Sequence, residues 1–174
     1  MHASYQKLAK FYDAMHQRRD YDKESSFVIK RIKEINPKAR SIIDVGCGTG
    51  THLQKFSSHF ETLAGVDLNK EILGVAKLKF PSAIYQCAPM KDFRFDQKFD
   101  SIVSLYSVFN YNLTLDEAEA TLKNMHAHLN NDGVLVLALY VAKNLERKIS
   151  IHVGKDESLE SAKIMIMSMI QNQN

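Results

Sequence analysis

The residues best suited to chemistry lie in one short run, Asp44-Val45-Gly46-Cys47-Gly48-Thr49-Gly50, directly after Ile42-Ile43. Glycines let a turn come close to a ligand and take positive φ, and a helix opening behind such a turn offers free N–H groups. Asp67 stands 21 positions after Gly46, at the end of the next β-type run. A carboxylate there can accept hydrogen bonds from both hydroxyls of an adenosine ribose. Taken alone, Asp67 reads more often as an ordinary helix-start acid, and a tight turn with no ligand is the lesser reading of the glycine run. Their pairing favours a ribose site. Met90-Lys91-Asp92-Phe93, after a third run, could cover an adenine ring or be a plain polar loop.

These residues need a scaffold, and the pattern supplies one. Short β-branched runs alternate with helical periodicity, the mark of βαβ units and a parallel sheet. Val28, Ile32 and Ile35 share one helical face, with Pro37 just beyond it. Strands are expected over residues 41–45, 62–67, 83–87, 99–105 and 134–141. Asn69 is a candidate N-cap for a helix carrying Ile72, Leu73 and Ala76. Thr114 and Glu117 form a candidate capping box, ahead of a helix face made by Ala118, Leu122, Met125 and Leu129. Asn131-Asp132-Gly133 reads as a turn. The run from Val134 to Val141 is apolar on both faces, as in a central strand. Residues 149–153 and 162–170 could pair as a hairpin, although the second run also suits a helix. His126 and His128 fall near a helix end, where a cation suits the dipole, and read as structural.

Composition sets the bounds. A chain of 174 residues with 45% apolar and 25% charged content has room for one soluble domain. The formal charge of +3 comes from cations scattered among acids, so no basic block argues for nucleic acid. The longest strongly apolar run, Val134 to Ala142, falls short of the roughly 20 residues a spanning helix needs, so no membrane role is expected. Cys47 and Cys87 lack metal-type spacing, and no ligand cluster demands a metal. Two cysteines without a disulfide framework, and an N-terminus without a signal-type apolar stretch, suit the cytoplasm.

The run Ile42-Ile43-Asp44-Val45-Gly46-Cys47-Gly48-Thr49-Gly50 resembles motif I of class I S-adenosylmethionine-dependent methyltransferases. A dinucleotide fold would place its third glycine one residue later and would lack the acid at Asp44. The resemblance runs from about Tyr5 to Tyr140. Lys91-Asp92-Phe93, Phe99-Asp100 and Ser107-Val108-Phe109-Asn110-Tyr111 are most similar to the small-molecule branch that N-methylates amino sugars of nucleotide-linked deoxysugars. This resemblance implies an α/β, Rossmann-like, doubly wound and mostly parallel sheet with helices on both faces. It divides the chain into an S-adenosylmethionine-binding domain over 1–146 and, over 147–174, a remnant of a substrate-covering insertion or a C-terminal extension.

The same resemblance assigns roles. Asp44, Gly46, Cys47, Gly48, Thr49 and Gly50 would cradle the methionyl and ribose portions, and Asp67 would hold the ribose hydroxyls. Leu68 would pack on adenine, with Met90, Lys91 and Asp92 lining its pocket and Leu105 to Ser107 near the sulfonium. Tyr12 and Tyr21, with Arg19 nearby, are candidates for the cofactor tail; Tyr5 and Tyr111 are candidates for the acceptor side. Two departures stand out. Pro89 replaces the family's usual acid two residues before Lys91, so adenine recognition is either weaker or handled by Asp92. The family also continues well past the fifth strand with a closing antiparallel hairpin, whereas this chain ends at Asn174. If strands six and seven are missing, the fifth strand lies at an open edge suited to homodimerisation.

The expected reaction is methyl transfer to a small-molecule acceptor, with nitrogen favoured. Alignment of the nucleophile can supply roughly 7–11 kcal/mol of barrier lowering. The alternative is a catalytically silent S-adenosylmethionine-binding module that needs a partner or a second copy to complete its sheet. A dehydrogenase is a distant third.

Overall fold

The computed structural model describes residues 19–139 and the strand at 163–168. Helix α1 (Tyr21–Ile35) starts where the Asp20 carboxylate accepts the Lys23 N–H, and Asp22 and Glu24 add acid to its positive end. It stops at Asn36, one residue before Pro37, and buries Val28, Ile29 and Ile32.

Then follow β1 (Ser41–Val45), α2 (Thr51–Phe56), β2 (Thr62–Asp67), α3 (Lys70–Lys79), β3 (Ile84–Cys87) and β4 (Phe99–Ser104). A 3₁₀ turn (Val108–Tyr111), α4 (Leu115–Ala127), β5 (Leu129–Leu139) and β6 (Lys163–Ser168) complete the order. The expected caps form. The Asn69 side chain accepts from the N–H groups of Glu71 and Ile72. Thr114 accepts from Glu117 N–H, while the Glu117 carboxylate accepts from the amide of Leu113.

The strands lie in the order β3-β2-β1-β4-β5-β6, each pair parallel. Period-two alternation divides their side chains between two cores. Ile42, Leu63, Val103 and Val136 face α1, α2 and α3 through Val28, Leu53, Phe56 and Leu73. Ile43, Val66, Ile102 and Leu135 face Met125 of α4. The chain runs outward from β1 to β3, then returns to place β4 on the other side of β1. Strand order therefore reverses between β1 and β4, the place where open parallel sheets bind ligands.

Three expectations change. Leu129 does not close the helix face but opens β5, paired with Phe99. Asn131-Asp132-Gly133 is not a separate turn but an irregularity inside β5. The register shifts between Phe99 and Ser101, and Asp132 takes φ +61°. Residues 163–168 form a strand parallel to β5, from Val134↔Lys163 to Leu139↔Ser168. The outer backbone groups of β5 are thus paired, and the open β5 edge expected from the sequence is covered. The hairpin partner at 149–153, and the candidates Tyr5 and Tyr12, lie outside the described residues.

Candidate functional site

The glycine turn is docked on β2. Both Gly46 N–H and Cys47 N–H donate to the Val66 carbonyl, at 2.7 and 3.0 Å, and Gly50 N–H donates to the Cys47 carbonyl at 3.0 Å. Gly46, Gly48 and Gly50 have φ of +84°, +55° and +77°, a region glycine enters without strain. At Gly46 space forbids a side chain as well, since a Cβ would run into the isopropyl group of Val108.

Asp67 closes the turn from the side. Its Oδ2 accepts Gly48 N–H at 3.0 Å and its Oδ1 accepts Asn69 N–H at 2.9 Å. A carboxylate offers about four lone-pair directions, more than these amides use. Burial raises this carboxyl above its ordinary value, although the backbone N–H groups of Asn69, Gly48 and Leu68 oppose the rise. Asp44 lies deeper, 2% exposed at the end of β1. Burial pushes it up to about 6; the charge of His52 draws it down and that of Asp67 pushes it up. Two buried carboxyls that hold their protons more tightly than usual therefore flank the turn. Between them the Cys47 thiol is pushed well up by burial and by both acids, so Cys47 is a packing group rather than a nucleophile. Thr49 is buried, and Lys79 Nζ reaches its hydroxyl at 3.4 Å and that of Thr51 at 2.9 Å.

The rim is built from the loops after β2, β3 and β4. Leu68 leaves half of its surface in solvent just past Asp67. The loop after β3 begins beside it, with Ala88 N–H on the Asp67 carbonyl at 3.1 Å. Met90 packs on the α4-side core. The head of Lys91 turns towards Glu117 at 3.7 Å, and Asp92 is exposed, its N–H closing a turn on the Pro89 carbonyl. Leu105 is buried in the α1-side core. Ser107 takes φ +57° and donates its N–H to Ala138 at 3.0 Å. Tyr111 ends the 3₁₀ turn with 53% of its surface exposed. Tyr21 packs edge-on against His52, ring centroids 4.9 Å apart.

Several contributors were not singled out in the sequence. Glu24 accepts Arg19 Nε with both oxygens, at 2.8 and 2.9 Å, and lies 3.3 Å from His52 Nε2. This joins α1 to α2 beside Asp44. Burial alone would raise Glu24, yet the bonds and charges of His52 and Arg19 hold it below its ordinary value. His52 interrupts the apolar stripe of Leu53 and Phe56, a visible signal without a visible partner. Gly65 is required on β2, because a Cβ there would meet Cys47 Sγ and Leu53 Cδ1 at 2.8 Å each. Ser104 Oγ, at the end of β4, is buried with no hydrogen-bond partner among the described residues. His128 is structural, as expected, but not as a cation. Phe95 N–H donates to its Nε2 at 3.1 Å while Nδ1 lies 2.8 Å from the Asn124 carbonyl, which assigns the neutral Nδ1–H tautomer.

An adenosine bearing a cationic tail suits this donor set. Asp67 accepts at the edge of the turn, an apolar Leu68 stands exposed beside it, the Asp44 carboxyl lies beneath the turn, and the buried Ser104 hydroxyl ends β4 with no partner among the described residues. Among the described residues no cluster of His, Cys, Asp or Glu could hold a metal ion, and no helix is long and apolar enough to cross a membrane.

Fold and site together define a Rossmann-like nucleotide-cofactor domain of the doubly wound class. Residues 42–133 match the family described as methyltransferase domain, and the chain belongs to that family. It is 36% identical to a dTDP-3-amino-3,4,6-trideoxy-alpha-D-glucopyranose N,N-dimethyltransferase of Streptomyces venezuelae over 119 residues, 68% of this chain and 50% of the relative. It is 32% identical to a dTDP-3-amino-3,6-dideoxy-alpha-D-glucopyranose N,N-dimethyltransferase of Streptomyces fradiae, covering 75% of this chain and 52% of that one. The structure of CalS10 with bound SAM, an amino pentose methyltransferase from Micromonospora echinaspora, superposes with a TM-score of 0.73 at 31% identity, over 76% of this chain and 57% of that chain. The chain thus spans about half the length of the curated relatives it matches.

Proposed function

We propose that this chain binds S-adenosylmethionine across the C-terminal ends of β1 and β2 and directs its methyl group to an amine nitrogen of a small molecule. The names of its relatives support an amino sugar linked to a nucleotide as the acceptor class. The carrying observation is the placement of Asp67 at the end of β2, its carboxylate accepting the Gly48 and Asn69 N–H groups beside the glycine turn, where it can also accept from a ribose hydroxyl.

When bound, the cofactor supplies a methyl group on a sulfonium: the N–CH₃ bond forms as the S–CH₃ bond breaks, the thioether leaves, and the amine gives up a proton. The chain's own contribution is binding and orientation. Asp44 and Asp67 bring negative charge to the turn, and Leu68 offers an apolar face to a flat ring. Met90, Lys91 and Asp92 form the loop beside that face. Leu105 to Ser107 shape the exit of β4, where the transferring group belongs. Tyr111, a phenol on the rim, is the described group proposed to contact the acceptor amine and accept a hydrogen bond from its N–H, the proton leaving to solvent; Tyr5 shares that role in this reading, with Tyr12 and Tyr21 on the cofactor side. The cytoplasm, where Cys47 and Cys87 stay reduced, suits this chemistry.

The test is transfer of a labelled methyl group from S-adenosylmethionine to a panel of amino sugars and their nucleotide-linked forms. Labelled amine is the expected product. Cofactor binding with no transfer to any amine would overturn the catalytic reading.

A further inference from the structure

At the end of the sheet opposite the glycine turn lies a cavity of about 530 Å³. Lys33 from the last turn of α1, Lys38 and Arg40 from the loop into β1, and His59 and Glu61 from the loop into β2 line it. The five residues of β1 separate it from the glycine turn by roughly 15–20 Å, at about 3.3 Å per residue. It is therefore distinct from the crevice proposed for the cofactor. Both loops are held in place by the chain itself. The Asn36 carbonyl accepts Ala39 N–H and its side-chain oxygen accepts Lys38 N–H, each at 3.1 Å. Arg40 N–H donates to Asp100 at 2.8 Å, and the Arg40 carbonyl accepts the N–H groups of Glu61 and Thr62 at 2.7 and 3.2 Å. The cations are thus gathered on a preorganised frame.

Their donors are only partly used. The Lys33 ammonium donates to the Ala39 carbonyl and stands 5.1 Å from the centre of the Phe60 ring, with further N–H donors to give. Arg40 Nε lies 3.0 Å from Glu61 Oε1, a contact that engages a fraction of the guanidinium's donors. The Lys38 ammonium and the His59 ring have no hydrogen bond or ion pair among the described residues. Three fixed cations thus face one acid, Glu61. A concave cluster of one sign concentrates counter-ions, and an anion seated in it relieves the repulsion among the cations. The excess of two positive charges suits a multiply charged anion, and a forked guanidinium matches phosphoryl oxygens. The volume lies within the roughly 300–1,000 Å³ of small-molecule sites, which favours a compact ligand over a nucleic-acid strand.

We propose that this cavity is a second ligand site, which takes a small oligophosphate anion between Lys33, Lys38 and Arg40 at the far end of the sheet from the cofactor crevice. The proposal does not depend on methyl transfer.

The test is calorimetric titration of inorganic diphosphate into the full chain, alone and with excess S-adenosylhomocysteine. Saturable binding is expected, changed by no more than about twofold when S-adenosylhomocysteine is present. Lys38→Ala combined with Arg40→Ala should weaken it by about tenfold or more, and Glu61→Gln should tighten it about threefold. Lys123→Ala removes a cation from α4, outside the cavity, and should leave the affinity within about twofold. No saturable binding, displacement by S-adenosylhomocysteine, or equal losses in Lys123→Ala and the double variant would overturn the proposal. So would tighter binding of a short single-stranded RNA that the double variant abolishes, which would make this face a nucleic-acid surface. Should the double variant fail to fold, Glu61→Gln still decides, and unchanged or weaker binding there counts against the site. If S-adenosylhomocysteine itself does not bind, the cofactor reading falls alone, and the diphosphate site is judged by the variants.

Discussion

Asp67 Oδ2 accepts the Gly48 amide at 3.0 Å, so the carboxylate suited to a ribose also holds the centre of the glycine turn. Two elements that read separately in sequence are one device in space. In the proposed reading the loss of Asp67 should therefore be felt in the shape of the turn as well as in ligand affinity.

Asp44 links stability to function through pH. Its carboxyl is raised by burial from 3.8 to about 6. A carboxyl with a folded pKa above its unfolded value keeps its proton better when folded. The chain is then most stable below the unfolded value and loses stability as pH rises through about 6. Asp44→Asn should leave the ligand-free chain up to about 3 kcal/mol more stable at about pH 8, with the gain vanishing near pH 4, in denaturant melts. The same variant should bind S-adenosylhomocysteine more weakly. An equal gain at both pH values would show that Asp44 does not titrate as described.

Asp100 has the opposite sign. Burial alone would raise it, but Arg40 N–H, the Asn130 amide, and the Ser41 hydroxyl and N–H hold it below its ordinary value while tying β4 to β1 and β5. Its stabilisation is present above pH 3.8 and is lost as pH falls through the lower folded value. Asp100→Ala should cost roughly 1–3 kcal/mol at neutral pH and shrink the acid-unfolding limb of the parent. Superimposable acid titrations of the two chains would refute this.

Gly65→Ala tests the seat of the turn. Its methyl group would strike Cys47 Sγ and Leu53 Cδ1 at 2.8 Å, and a cost of about 1–3 kcal/mol is expected in urea melts. Combining it with Cys47→Ala should recover part of the loss, a coupling that a double-mutant cycle reads directly. Strict additivity would mean the two sites do not touch.

Much of this architecture was legible because its signals are local. The β1 run, the glycines, Asp67, and the caps at Asn69 and Thr114 each depend on residues within a few positions. What escaped depends on distant partners. Glu24 and His52 meet across 28 positions, and nothing near either announces the other. Gly65 looks like a weak spot in a strand until Cys47 and Leu53 are seen against it. Residues 162–170 carry apolar side chains that suit helix or strand, and the free edge of β5 decides in favour of a strand at 163–168. At Asn131 to Gly133 the residue types promised a turn, but pairing of β5 with β4 on both sides absorbed them as a bulge.

The most direct measurement is calorimetric titration of S-adenosylhomocysteine into the parent chain and into Asp67→Ala. Saturable binding to the parent, weakened roughly tenfold to a hundredfold in the variant, is the expected result, on the scale of a charged hydrogen bond or two. Equal affinity in both chains, or no binding to the parent, would contradict the account.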